Sequence, residues 1–276
     1  MQPAGATRTI VLIHGNFVTR HSWDRWVARY EDRGYTVVTP AYPLRDKSVA
    51  ALRQNPRDPA LGRLALPEVI DHHVRVIRDL NEKPIIIGHS FGGLLTQLML
   101  QRDLGVAGVA IDSVPPQNIL PLHWSLIRSI WPIVNPLVPV SRPYFMPFSD
   151  FQYSFGNDLP EAEQRAGWEA DIVPESRRLS RGGLSSAAKV DFARKRPPLL
   201  LIAGEKDHIM PAALNRTNYE RYAKSPSATE FRQFPGRAHY SIIAGKGWEE
   251  VADYALEWAV RMANSVSTAA STRAIA

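Results

Sequence analysis

One serine of this chain stands between two glycines, in the run Gly88-His89-Ser90-Phe91-Gly92. The residues before it, Ile85 to Ile87, favour a buried strand, and the leucines after it have helical spacing. A serine at so sharp a strand-to-helix turn projects its hydroxyl above the sheet, and the glycines avoid collisions across the turn. The pattern predicts that Ser90 is a nucleophile rather than an ordinary turn residue.

A serine hydroxyl is a weak nucleophile at neutral pH, so it needs a base and a group that orients the base. Two later strand ends offer such groups. Asp207 lies three residues past Gly204, and His239 lies just past the last predicted strand. Asp112 ends the strand that follows the serine, and it is an alternative acid. The chain order serine, aspartate, histidine is that of one known arrangement of triads.

The composition excludes several other classes of site. The net charge of the 276 residues is +6, but the basic residues are scattered without interleaved aromatic residues, so no nucleic-acid surface is expected. There is no cysteine, which excludes disulfides and thiolate metal sites. His72 and His73 follow Asp71, but neighbouring residues on a helix diverge by about 100°. We therefore expect no metal and no cofactor.

The chain has no apolar stretch of the length that spans a membrane, and its first ten residues contain no apolar signal core. We therefore expect a cytoplasmic protein without a membrane span. The sequence leaves open whether this protein is a monomer or a homodimer.

The elements that must hold these residues alternate between strand and helix, which predicts a mostly parallel sheet flanked by helices. About six strands are expected, at residues 9–13, 35–39, 85–87, 106–111, 199–203 and 230–234. Ser22 is expected to cap the first helix. Residues 44–66 are expected to form a polar connection.

Residues 113–195 break this alternation with ten prolines and many aromatic side chains. A stretch of this length is too long for a plain connection, so it predicts an inserted helical subdomain between core segments 1–112 and 196–276. We expect a lid over the carboxyl ends of the strands, although an accessory helical pack is the alternative. The predicted pocket residues are Phe17, Trp124, Phe145, Phe148, Phe151, Ile209 and Tyr240.

Four motifs together resemble the α/β-hydrolase superfamily, and the resemblance spans nearly the whole chain. They are His14-Gly15, the run 88–93, the loop 204–207 and the turn 236–239. Only eight residues precede the first predicted strand, whereas this superfamily commonly begins with an extra antiparallel pair. The resemblance therefore implies a sheet that lacks the first two strands of the fold, with strand order 2-1-3-4-5-6.

The resemblance also implies a role for each site residue. Ser90 would be the nucleophile, His239 the general base and acid, and Asp207 the orienting carboxylate. The oxyanion hole would use the backbone N–H groups of Phe91 and Asn16, with Phe17 as the alternative to Asn16.

The resemblance implies a serine hydrolase that acts on a small-molecule acyl compound. His89 before the serine looks like the esterase, lipase and thioesterase pattern, so a carboxylesterase or lipase-like activity is expected. Lactonase, thioesterase, amidase and carbon–carbon bond hydrolase activities on the same triad are alternatives. A ligand-binding receptor that keeps the pocket without turnover is the alternative from another class.

Overall fold

Six parallel strands form one sheet in the order β2-β1-β3-β4-β5-β6. The computed structural model describes residues 7–119 and 123–275, with side chains as far as residue 265. The strands are β1 Thr9–Ile13, β2 Thr36–Val38, β3 Ile85–His89, β4 Ala107–Ile111, β5 Leu199–Gly204 and β6 Thr229–Phe234. The predicted strand count, order and parallel arrangement are confirmed.

Helices cover both faces of the sheet. They are α1 Asp24–Glu31, α2 Val49–Gln54, α3 Pro59–Arg63, α4 Leu66–Arg78, α5 Phe91–Leu100, α6 Trp124–Val134, α7 Phe148–Ser154, α8 Glu161–Asp171, α9 Arg177–Gly182, α10 Ala212–Arg221, α11 Ser241–Ala244 and α12 Trp248–Ile275. Alternate residues of β1 enter two different cores. Ile10 and Leu12 pack with the tryptophans of α1 and α12, and Val11 packs with the leucines of α5. Because the sheet is buried on both faces, its central strands are continuously apolar.

Two local expectations need correction. Ser22 does not cap α1: its hydroxyl donates to the carbonyl of Thr19, and Thr19 caps a 3₁₀ turn that precedes α1. The connection 44–66 contains two short helices rather than none. Side chains of Ser48 and Asp58 accept backbone N–H groups at the start of α2 and α3. These helices are too short to show a clear apolar periodicity in the sequence.

The inserted segment carries α6 to α9 and an antiparallel bridge between Tyr144 and Glu175. Its apolar side chains form a third core with residues of the loop after β5, among them Ile209 and Met210. The segment therefore packs directly above the carboxyl ends of the strands. Within the described residues, no helix combines the length and apolarity needed to cross a membrane.

Candidate active site

Ser90 occupies a strained turn between β3 and α5. Its φ of 57° lies in the left-handed region, which a residue with a side chain rarely adopts. A Cβ atom at Gly88 would lie 2.1 Å from the carbonyl oxygen of Gly92, and one at Gly92 would lie 2.1 Å from that of Ile13. Because the backbone approaches so closely at Gly88 and Gly92, a residue with a side chain cannot replace either glycine without moving the turn.

The acid and the histidine meet in a buried hydrogen bond. His239 Nδ1 lies 2.6 Å from Asp207 Oδ2, and both side chains are fully buried. The other oxygen of Asp207 accepts the N–H groups of Ile209 and Met210, at 2.8 and 2.7 Å. The carboxylate is therefore fixed in position and holds the proton of His239 on Nδ1. His239 Nε2 has no hydrogen-bond partner among the described residues, so it is free to accept a proton.

His89 brings His239 beside the serine turn. Its Nε2 lies 2.9 Å from the carbonyl oxygen of His239, and the two rings are 4.5 Å apart. Burial, followed by the charge of His239, lowers the pKa of His89 well below its usual range. His89 is therefore a neutral donor, and it adds no positive charge beside the ring of His239. Sequence reasoning used His89 only as a cue to enzyme class; its contact with His239 depends on the tertiary fold.

Asp112 is the second buried carboxyl group at this edge of the sheet. Its Oδ1 accepts the N–H of Gly204 at 2.7 Å. Burial, followed by the negative charge of Asp207, raises the pKa of Asp112 well above its usual range. The neutral form of Asp112 is therefore favoured, and its Oδ2 has no hydrogen-bond partner among the described residues. Of the two candidate acids, Asp207 is the one hydrogen-bonded to His239 in this structure.

Three of these side chains could in principle approach a metal ion. Ligand atoms of His89, Asp112 and His239 lie within 4.8 Å of one another. Each of the three makes the hydrogen bond described above, to a backbone group or to Asp207, and each keeps one buried N or O atom without a hydrogen-bond partner among the described residues. The expectation that the site needs no metal ion stays a prediction.

The loop after β1 lies against the serine. A Cβ atom at Gly15 would be 2.9 Å from Ser90 Cβ, so this loop passes next to the nucleophile turn. Asn16 and Phe91 border the same cavity as Ser90. Burial raises the pKa of Glu175, whose carboxyl group lies near the backbone of Phe17. The choice between Asn16 and Phe17 as the second oxyanion donor stays a prediction.

A cavity of about 220 Å³ opens beside Ser90. Helix α6 contributes the side chains of Leu126, Ile130, Ile133 and Val134 to its wall. Among the described residues, those that line the cavity include no charged side chain. Such a site can enclose an apolar group while Ser90 lies at its edge.

The predicted pocket residues divide into two groups. Phe17 and Ile209 are in the lining of the cavity, and the other five predicted residues lie outside it. Trp124 is 74% exposed on the outer side of α6. The sequence reasoning missed Phe155 and the apolar side of α6, which also line it. The apolar spacing within 126–134 was the available signal.

The remaining four predicted residues pack among themselves and their neighbours. Phe145 and Phe148 lie against Trp168. Phe151 is buried against the ring of Tyr240, whose hydroxyl donates to Asp171 at 2.6 Å. These aromatic side chains stabilise the inserted segment rather than line the cavity.

Comparisons with known proteins agree with this architecture. A family model described as "Alpha/beta hydrolase family" matches residues 10–254. None of the curated proteins matches the chain significantly. Among solved structures, an extracellular alpha/beta-hydrolase from a Paenibacillus species is 21% identical with a TM-score of 0.65, covering 89% of this chain and 96% of its own.

Two further solved structures share the fold at similar distances. A monoacylglycerol lipase from Paleococcus ferrophilus is 18% identical with a TM-score of 0.65, covering 94% of this chain and 96% of its own. A mutant of polyneuridine aldehyde esterase is 15% identical with a TM-score of 0.63, covering 91% of this chain and 98% of its own. At these identities the likeness establishes the fold alone.

Proposed function

The chain belongs to the alpha/beta hydrolase family, and we propose that it is a serine hydrolase that cleaves carboxylic esters through an acyl-enzyme on Ser90. The observation that carries the proposal is the buried hydrogen bond between Asp207 and His239. It fixes one tautomer of a histidine that His89 holds beside the strained turn of Ser90. A histidine whose Nδ1 proton is held by a carboxylate and whose Nε2 is free can accept the proton of a serine hydroxyl.

In the proposed reaction, Ser90 Oγ attacks the ester carbonyl and His239 Nε2 takes its proton. Asp207 stabilises the imidazolium that forms. The N–H groups of Asn16 and Phe91 stabilise the negative oxygen of the tetrahedral intermediate, and Phe91 adds the positive end of the α5 dipole. The intermediate expels the alcohol, which takes the proton from His239. Water then loses a proton to His239 and attacks the acyl-enzyme, releasing the acid and restoring Ser90.

The cavity favours an uncharged substrate with an apolar group beside the scissile bond, because its lining carries no charged side chain. In this proposal the inserted segment acts as a lid, since α6 forms one wall of the cavity. Specificity should rise by about tenfold for each 1.4 kcal/mol of additional buried apolar surface until the cavity is full. Activity that is flat or falls beyond acetate would contradict an acyl site in this cavity.

A substrate panel on the purified protein tests the reaction class. It contains chromogenic esters of graded acyl length together with thioesters, lactones, amides and carbon–carbon substrates, because all of these would use the same triad. We expect turnover of esters with apolar acyl groups. Slow single-turnover hydrolysis with a tightly retained product would instead support a binding protein.

Two serine variants test the nucleophile. Ser90→Ala should abolish both ester turnover and covalent labelling by a fluorophosphonate. Ser129→Ala is the matched control, because Ser129 is buried in α6 and its hydroxyl has no hydrogen-bond partner among the described residues. That variant should be labelled like the wild type. Full labelling of Ser90→Ala would overturn the assignment.

The proposed mechanism uses no metal and no cofactor. Dialysis against a chelator should leave the ester turnover unchanged, and recovery of a lost activity on adding zinc would contradict the mechanism. The cytoplasmic location and the choice between monomer and homodimer stay predictions.

A further inference from the structure

The exposed apolar side chains of this protein are concentrated on the inserted segment. Among the described residues, six large apolar side chains are exposed, and five of them belong to this segment. These five are Trp124, Ile127, Trp131, Leu137 and Leu184. We call them the outer lid face. Isolated exposed apolar residues are ordinary in soluble proteins, but a concentration that includes two tryptophans marks a surface with a partner.

Helix geometry explains why one helix can serve both the cavity and this face. Trp124, Ile127 and Trp131 follow the spacing i, i+3 and i+7, so they lie on one side of α6. Ile130 and Ile133 point from another side of the same helix into the cavity wall. The helix is therefore apolar on two sides. A helix that only covers a cavity needs a single apolar side.

The outer lid face is continuous with the cavity. Leu184 belongs to both, because it lines the cavity and is 51% exposed. It follows α9, whose residue Arg181 binds the carbonyl oxygens of Asn135 and Val138 on either side of Leu137. The wall of the cavity therefore reaches the protein surface on the outer lid face.

The charge around this face is positive and uncompensated. Residues 113–149 contain no aspartate or glutamate. The arginines in and beside this stretch include Arg128, Arg142, Arg178 and Arg181, of which the first three are exposed. In the part of the chain that the structure describes, none of these four pairs with a carboxylate. A partner with negative charge and an apolar layer would match both properties.

We propose that the outer lid face binds the surface of an anionic lipid layer, with α6 lying in the interface. Tryptophan rings are favoured at the level of lipid headgroups, where the apolar body is buried and the indole N–H stays hydrated. Leucine and isoleucine side chains add apolar burial, and the arginines attract anionic headgroups. A second copy of the chain fits less well, because a two-fold interface would bring two copies of the same positively charged face together. The proposal stands independently of the reaction proposed above.

Cosedimentation with vesicles tests the lipid surface directly. The intact protein should bind vesicles that contain phosphatidylcholine and phosphatidylglycerol. It should bind vesicles of phosphatidylcholine alone much more weakly. High salt should weaken this binding, because the attraction between arginines and headgroups is screened. The double variant Trp124→Ala/Trp131→Ala should bind at least about tenfold more weakly, since it loses both interfacial rings. Both residues are exposed, so these changes should not alter folding, which the melting temperature checks.

A matched pair of leucine variants tests whether vesicle binding depends on the outer lid face or on any exposed apolar side chain. Leu137→Ala lies on the face, and Leu44→Ala removes an exposed leucine from the core domain. We expect Leu137→Ala to weaken vesicle binding and Leu44→Ala to leave it unchanged. Three results would overturn the proposal: no binding of the wild type to anionic vesicles, equal binding of the tryptophan double variant, or a homodimer in light scattering that this variant makes monomeric.

Discussion

Two buried aspartates at one edge of the sheet have different hydrogen-bond partners, and this difference separates them as candidate acids. Asp207 accepts two backbone N–H groups and the His239 ring, so its negative charge is well compensated. Asp112 accepts one backbone N–H, and burial beside Asp207 raises its pKa well above the usual range. A carboxyl group whose charged form is disfavoured is a poor partner for an imidazolium, which favours Asp207 as the acid.

Asparagine substitutions should separate these roles. Asp207→Asn should lower ester turnover by about 10⁴-fold, because an amide cannot hold the imidazole in the required tautomer or stabilise the imidazolium. Asp112→Asn should keep most of the turnover, because Asp112 makes no hydrogen bond to His239 and the amide oxygen can still accept the Gly204 N–H. Steady-state kinetics on one ester, with the melting temperature as a folding check, measures both. The reverse ranking in two folded variants would assign the acid to Asp112.

Between elements, the main connection runs from the inserted segment to the loop after β1. The backbone N–H of Val173 donates to the carbonyl of Phe17 at 2.8 Å, and Asn16 Nδ2 donates to Ser180 Oγ at 3.0 Å. Beneath them, Arg45 Nη1 lies 3.1 Å from Glu175 in a fully buried ion pair. The φ of Phe17, 68°, is unfavourable for a residue with a side chain, so these contacts must hold the loop in place.

Arg45 and Glu175 should therefore position the oxyanion loop. Arg45 also donates to the carbonyls of Val18 and Pro174, one on each side of the connection. The double variant Arg45→Met/Glu175→Gln removes both charges, which avoids leaving one charge buried alone. We expect kcat to fall by about tenfold or more with little change in KM, because a displaced oxyanion donor affects the transition state more than substrate binding.

Arg53→Met is the control for this pair. Arg53 binds the carbonyls of Ile172 and Trp168 in the inserted segment, and neither of these residues belongs to the oxyanion loop. Arg53→Met should loosen the inserted segment but keep the kcat of the wild type. Equal kcat values for the wild type and the folded double variant would show that the ion pair serves stability alone.

The two sides of α6 can be distinguished by one substitution placed on each. Ile130→Trp should fill part of the cavity, so turnover of long acyl esters should fall while that of acetate esters is kept. Ile127→Trp, one turn earlier on the outer side, should leave the chain-length profile unchanged. The profile of kcat/KM against acyl length measures this. Identical profiles for the two variants would place the acyl group elsewhere.

For the molecule as a whole, buried neutral histidines link stability to pH. Burial lowers the pKa of His14 to about 3 and that of His73 to about 4, from an ordinary value of 6.5. The unfolded chain therefore takes up protons at these residues as the pH falls below about 6.5, while the folded protein does not. Their contribution to the free energy of unfolding is complete above that pH and is lost progressively as the pH falls toward 4.

His73→Phe tests this linkage. The ring of His73 packs against Tyr42 inside the fold, and phenylalanine keeps an aromatic ring there. Between about pH 6 and pH 4.5, the variant should take up about one proton fewer on unfolding than the wild type. This is a decrease of about 1.4 kcal/mol per pH unit in the slope of the unfolding free energy. Urea titrations at several pH values measure the slope, and an unchanged slope would contradict the assignment.

The sequence by itself determined the sheet and the strand ends at which the site residues lie. Continuous apolar runs specify buried parallel strands, and the Gly88 to Gly92 spacing specifies the sharp turn of Ser90. Both signals are local, because strand burial and close backbone approach leave a pattern within a few residues. The insertion 113–195 was also recognisable from its length and its prolines.

Only the tertiary structure decided which buried side chain meets which. It placed Asp207 rather than Asp112 on His239, and it turned Trp124 outward while Ile130 faces the cavity. Each of these outcomes depends on contacts between segments that are far apart in the chain. The sequence of α6 shows that this helix is apolar. Because it is apolar on two sides, the sequence does not specify which side packs against the core.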